Sequence, residues 1–266
     1  MPYNQRFFHK VGPKKYDPKT CMARFETFEK AKTRRLDIIK TLEKGDTDHQ
    51  QIAKRLTGCN KGNRCGSVLC PVCVRQFRRW WTTQAAEILD HSNLVAATVV
   101  LPRWITDFDD VEKIDPRQMK DLVRQRLKRS KLEDRVAVGG IDLSLNVSEG
   151  QDLIVWAPHL YLLIEEADKK EGREALQVPG EGDHLVDKPI RTREVTDVMS
   201  SLTYCQKPFF SRRNGYTGDN GRKQTRNTSL KPDEFRKLAG LLDEWRFADR
   251  MFLRGVRMQG GQLVRS

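Results

Sequence analysis

Ile141-Asp142-Leu143-Ser144-Leu145-Asn146-Val147 alternates apolar and polar residues without a break. Successive side chains of a strand point to opposite faces, so this period of two predicts a half-buried strand. Soon after it, Leu153-Ile154-Val155-Trp156-Ala157-Pro158-His159-Leu160-Tyr161-Leu162-Leu163-Ile164 reads as a second, more apolar strand. Upstream, Leu94-Val95-Ala96-Ala97-Thr98-Val99-Val100-Leu101 reads as a buried strand stopped by Pro102. Asp115 and Pro116 have the form of a helix cap and first turn, opening a basic helix to about Leu132. Downstream, residues 169–187 are polar and Gly-rich and read as a loop. Residues 192–207 read as a helix with Val195, Val198, Met199 and Leu202 on one face, ended by Pro208. Strand, helix, strand, strand, helix implies an α+β fold, with an antiparallel sheet and flanking helices.

Further out the periods become helical. Residues 20–44 read as one helix, with Phe25, Phe28, Leu36, Ile39 and Leu42 near helical spacing. Thr47-Asp48-His49-Gln50 has the form of a capping box and opens a helix to about Leu56. A further helix is expected over 74–89. Beyond the centre, 209–230 reads as a loop and 232–252 as a helix burying Phe235, Leu238, Leu241, Leu242 and Trp245. The chain thus divides into a helical N-terminal region (1–90), a central α+β domain (91–215) and a basic loop with a C-terminal helix (216–266).

Four of the six cysteines lie close together: Cys59, Cys65, Cys70 and Cys73, spaced C-x5-C-x4-C-x2-C. A C-x2-C turn aims two thiolates at one ion, and a second, looser pair completes four ligands of a structural Zn2+ site. A redox C-x2-C explains neither Cys59 nor Cys65, and His49 is an alternative to one of the four. Cys21 and Cys205 stand alone and read as ordinary buried thiols.

The chain has 266 residues, with 49 Lys and Arg against 36 Asp and Glu, a net charge of +13. Such an excess of cations points to a polyanionic partner, nucleic acid first. No apolar run reaches the roughly 18 residues of a membrane span. Met1-Pro2-Tyr3-Asn4-Gln5-Arg6 has no signal-peptide core. The expectation is a soluble cytoplasmic protein without a disulfide framework. Seven cations and no acid fall between Lys54 and Arg79, among them Arg64, Arg75, Arg78 and Arg79, followed by Trp80 and Trp81. Cations for phosphates beside rings for bases suit a nucleic-acid surface, although both tryptophans also suit a core. Seven more cations and one acid lie between Lys207 and Lys231, including Arg212, Arg213, Arg222 and Lys223. In contrast, 146–187 holds ten acidic residues against three basic ones.

With the cysteine cluster, three short segments stand in a telling order: Ala97-Thr98-Val99-Val100-Leu101-Pro102, then Ala157-Pro158-His159-Leu160-Tyr161, then Tyr204-Cys205-Gln206-Lys207. Over about residues 55–215 this order resembles the zinc-containing class of rolling-circle plasmid replication initiators, within the HUH endonuclease superfamily. The resemblance implies a sheet whose middle strand binds a metal, and a helix-borne tyrosine that attacks a DNA phosphodiester. That tyrosine keeps the 5′-phosphate, and the released 3′-OH primes replication. Carried onto this chain, Tyr204 is the nucleophile and Lys207, three positions on, shares its helix face as electrostatic support. The resemblance makes His159 a ligand for a catalytic Mg2+ or Mn2+, and Asn146 or Asp142 the position that matches the family's acidic ligand on the preceding strand. The pattern is degenerate: Tyr161 stands where the second histidine belongs, and Ala157 fills a position that is commonly His. A single imidazole holds a hard ion poorly. Either carboxylates such as Asp142, Asp152 or Glu165 rebuild the site, or nicking is impaired.

The expected function is a replication initiator that nicks single-stranded origin DNA, with a host helicase or polymerase as a further partner. The alternative is a non-catalytic, zinc-containing DNA-binding protein on the same fold, regulating replication or copy number. An RNA-binding module keeps the charge pattern but leaves Tyr204 and Lys207 unexplained.

Overall fold

The computed structural model describes residues 14–23, 25–150, 152–178, 186 and 188–266. Residues 1–6 and the carboxylates Glu181, Asp183 and Asp187 of the acidic stretch lie outside the described residues. Among the described residues the elements run α1 (Pro18–Cys21), α2 (Phe28–Leu42), α3 (Thr47–Thr57), α4 (Pro71–Ile88), β1 (Leu94–Val99), β2 (Thr106–Asp107), α5 (Pro116–Lys128), β3 (Ala137–Val147), β4 (Ile154–Glu165), α6 (Lys169–Leu176), β5 (Ile190–Glu194), α7 (Val198–Cys205), β6 (Ser211–Thr217), β7 (Lys223–Ser229), α8 (Pro232–Glu244), α9 (Phe247–Arg250), β8 (Met251–Arg254), β9 (Val256–Gln259) and β10 (Gln262–Arg265). No helix among them is long and apolar enough to cross a membrane.

The fold is α+β around a mostly antiparallel sheet of order β5-β1-β4-β3-β6-β7. The connections β1-α5-β3 and β4-α6-β5 cross over, so β4 lies between β1 and β3 in a split β-α-β arrangement. β3 and β4 pair through their whole lengths, and Asp142 lies directly opposite His159. On its other edge β3 takes β8 antiparallel over 137–140 and β6 parallel over 144–147.

Register assigns the two faces of this sheet different chemistry. Val95, Ala97, Leu160, Leu162, Ile141 and Leu143 point one way. That apolar face is covered by α6, which packs on β1 and β5, with α5 beside it. Thr98, Tyr161, His159, Asp142, Ser144 and Asn146 point the other way. α7 lies against β3 and β4, and α4 lies against α7. Gly140 permits this approach: a Cβ there would stand 2.0 Å from the Cys205 carbonyl oxygen. Only glycine lets the end of α7 rest on β3 so closely.

Several local readings change. Residues 20–44 are not one helix: α2 begins only at Phe28, capped by the Thr27 hydroxyl. α3 is capped by Asp46, which accepts from the His49 N–H, so the helix starts one residue earlier than a Thr47 cap would place it. The expected loop at 169–187 contains α6, whose capping box joins Asp168 and Glu171. The expected helix over 192–207 is β5 followed by α7, because Arg191, Thr192 and Arg193 continue a strand beside β1. The expected loop at 209–230 is the β6–β7 hairpin, and α8 stops at Glu244, before three short strands. β6 spans the expected boundary at 215 and β8 pairs with β3, so the C-terminal region is built into the central sheet.

Candidate active site

The four clustered cysteines form their site at the start of α4. Cys59 follows α3, Cys65 sits in the intervening loop, and Cys70 and Cys73 flank the first turn of α4. Gly66, at φ 68°, supplies the left-handed turn between them. All four sulfurs lie within 4.8 Å of one another, with Cys59–Cys73 at 3.6 Å and Cys65–Cys73 and Cys59–Cys70 at 3.7 Å. A disulfide would need about 2.05 Å. Four thiolates about 2.3 Å from a tetrahedral zinc stand roughly 3.8 Å apart, so the donor set is compatible with a structural zinc site. The thiolates also meet the positive end of the α4 dipole. Of the lone thiols, Cys205 is buried and burial pushes its pKa up, whereas Cys21 is exposed rather than buried.

α4 couples this site to the sheet. Trp80 and Trp81 are wholly buried: their indole N–H groups donate to the Gly261 and Leu202 carbonyls, at 3.0 Å each. They are core residues and offer no face to a base. The arginines beside them turn inward too. Arg75 donates to the Glu26 carbonyl at 2.7 Å, Arg78 lies over the Phe25 ring, and Arg79 makes a forked pair with Asp17. Burial pulls the Arg78 guanidinium down to about 10. Arg212 is likewise buried and paired with Glu234 at 3.1 Å. The expectation of DNA contact treated these charges as uncompensated. Their partners come from distant parts of the chain, which spacing does not show. Arg64 and Arg213 are half-buried, and Arg222 and Lys223 are exposed.

The polar face of the sheet opens into a cleft of about 800 Å³, lined by His159, Tyr204 and Lys207 together with Asn146, Asp152, Glu149, Lys188, Arg191, Arg213 and Lys223. The three residues expected to do chemistry are therefore brought together. Tyr204, in the last turn of α7, is 44% exposed. Its ring meets Tyr161 edge-on, with centroids 4.8 Å apart, and the Lys207 ammonium lies 4.2 Å from its centroid. Lys207 also pairs with Asp142 Oδ2. The same oxygen lies 3.1 Å from His159 Nε2, while His159 Nδ1 faces the Ala157 carbonyl at 3.2 Å. Asp142 and His159 are both buried.

Burial alone would raise the Asp142 pKa, but the hydrogen bond and charge of His159, with those of Lys207, hold it well below the usual carboxylate range. Burial alone would lower that of Lys207, but Asp142 and Tyr204 raise it. The pair is ionised at neutral pH.

A divalent ion does not fit this donor set. Among the described residues the cysteines are the only group of three or more His, Cys, Asp or Glu that converge. Asp142 and His159 have no third His, Cys or carboxylate beside them among the described residues, and Lys207 already sits on Asp142 Oδ2. Glu165 pairs with Arg265 at 2.8 Å and does not line the cleft. Among the described residues, Asp152 and Glu149 line it beside five cations, so this part of the lining is basic. Asn146 accepts from Ser144 at 3.0 Å.

Two contributors escaped the sequence reading. Tyr161, read as a lost ligand, accepts a hydrogen bond from Arg193 at 2.9 Å and braces Tyr204. Arg250, 1% exposed, donates to the Lys207 carbonyl at 3.0 Å and the Ile141 carbonyl at 3.4 Å, fixing both segments that carry the Asp142–Lys207 pair. The alternation of Arg191 and Arg193 about Thr192 was a readable sign of β5. Nothing local marks Arg250. No family model, curated protein or solved structure matches the chain.

Proposed function

We propose that this chain cuts single-stranded DNA by transesterification onto Tyr204, acting as a replication initiator of the kind its motifs resemble. The observation that carries this reading is the half-exposed Tyr204, held between Tyr161 and the Lys207 ammonium at the floor of a cation-lined cleft. A phenol is a weak nucleophile near neutral pH and needs a neighbouring charge to help it. The Tyr204 oxygen forms a bond to phosphorus, and the bond from phosphorus to the 3′-oxygen breaks with its electron pair on that oxygen. The phenol proton ends on the 3′-oxygen through solvent, so atoms and charge balance. Lys207 stabilises the negative charge that builds on the phosphoryl oxygens. Lys188, Arg191, Arg213 and Lys223 hold the strand along the cleft. Zinc on the four cysteines fixes the start of α4, and through Trp81 the position of α7. Single-stranded origin DNA is the substrate, with a host polymerase extending the 3′-OH or a host helicase separating the duplex as partner.

The second reading is a non-catalytic DNA-binding protein, favoured by the missing third ligand at His159 and Asp142. Incubation with fluorescent single-stranded oligonucleotides, random and from its own replicon, separates the two on a denaturing gel. A covalent adduct absent from Tyr204→Phe supports cleavage. Tight binding without an adduct in either DNA set overturns it in favour of the binder.

A further inference from the structure

We propose that the Lys207 ammonium fills the position a divalent ion would take, so that cleavage at Tyr204 proceeds without Mg2+ or Mn2+. This inference rests on the cleavage reading above and says what the site uses as its electrophile.

Three observations converge on it. The first is ligand count. His159 Nε2 and Asp142 Oδ2 are hydrogen-bonded to each other at 3.1 Å, but no third His, Cys or carboxylate joins them among the described residues. Hard divalent ions demand several oxygen ligands. The second is occupancy. Lys207 Nζ pairs with that same Oδ2, and the backbone that carries it is held in place, because the Lys207 carbonyl accepts from the buried Arg250. The third is charge. Among the described residues Asp142 is the single carboxylate at this point, and it already pairs with Lys207. A divalent ion would bring three positive charges onto one carboxylate, a repulsion that a buried site screens poorly.

The ammonium has what the step needs. It carries three donors, and Asp142 takes one. It lies 4.2 Å from the Tyr204 ring and lines the cleft, so the remaining donors can meet a phosphoryl oxygen in reach of the phenol. A lysine serving only as counter-ion to a buried aspartate would have no reason to touch the nucleophile as well.

The test uses the full chain with its zinc verified after passage through chelating resin, and single-stranded oligonucleotides as substrate. The expected adduct rate is the same within about twofold with and without added Mn2+. In folded Lys207→Met it falls by roughly 100-fold or more, and Lys207→Arg recovers part of it. An adduct that forms only with Mn2+ overturns the inference. Mn2+ binding followed by electron paramagnetic resonance decides the matter independently of any adduct. Wild type is expected to take up no Mn2+ at equimolar protein, whereas Lys207→Glu gains a site that is lost in Lys207→Glu with His159→Ala. A stoichiometric wild-type site abolished by His159→Ala overturns it. Absence of any adduct, with no Mn2+ site, defeats the cleavage reading and leaves Lys207 as the occupant of that position.

Discussion

Asp142 is the residue on which the site turns. It is buried, joins β3 to β4 through His159 and joins both, through Lys207, to the segment just past the end of α7, which stops at Cys205 short of the helix expected to 207. Asp142→Asn leaves buried cations without their carboxylate and is expected to cost about 3–5 kcal/mol, read by denaturant unfolding. The pH dependence follows from the two directions of shift. The folded Asp142 pKa is depressed, so its contribution is present above about pH 4 and disappears as pH falls through the folded value. The folded Lys207 pKa is raised, so its contribution is present below about pH 10 and disappears as pH rises through the folded value. The stability gap between wild type and Asp142→Asn should therefore be flat across neutral pH and close in strong acid; a gap that persists there contradicts the pairing. Tyr204→Phe should keep stability within about 0.5 kcal/mol, because its ring is half-exposed and its packing on Tyr161 survives. Tyr204 and Lys207 were legible from spacing and resemblance, and so were His159 and Asp142. Their mutual contact was not, because it depends on a β3–β4 register that only the folded sheet displays.

Among the elements, α4 and α7 do most to place the site. Cys70 and Cys73 anchor the start of α4, and Trp81 anchors α7 to it. On the proposal that the four cysteines hold zinc, a chelator that strips it should free that start, and the buried indoles of Trp80 and Trp81 should report it as a red shift of fluorescence. Unchanged emission after stripping would show that the cysteines do not hold the helix. At the other end, Gly140→Ala forces a Cβ against the Cys205 carbonyl and is expected to cost about 1–3 kcal/mol, in calorimetric or denaturant melts, as α7 lifts from β3. β3 was readable because its alternation is strong, and β1 and β4 because their apolar runs are long, β1 being stopped by Pro102. β5 left only the alternation of Arg191 and Arg193 about Thr192 as a sign, because Ile190–Glu194 is short, and the β6–β7 hairpin left none, because the seven residues of β7 are all exposed and polar. Backbone pairing, not apolar patterning, makes those strands.

At the scale of the molecule the question is where the net charge of +13 resides. Part of it is internal: Arg75, Arg78, Arg79, Arg212 and Arg250 are held by protein acceptors or aromatic rings. Of the cations that line the cleft, Arg191, Arg213 and Lys223 lie on β5, β6 and β7, Lys188 lies just before β5 and Lys207 just after α7. Replacing Lys223 or Arg213 by Ala should lower the slope of log affinity against log salt for single-stranded DNA by about one each. Arg79→Ala should leave that slope unchanged and lower stability, since Asp17 loses its partner. The most direct measurement of the central claim is mass spectrometry of the DNA adduct after nuclease and protease digestion. The account expects a nucleotide mass on the phenol of Tyr204 and on no other tyrosine. A nucleotide mapped to Tyr161, Tyr216 or any other residue, or no covalent nucleotide at all, would contradict it.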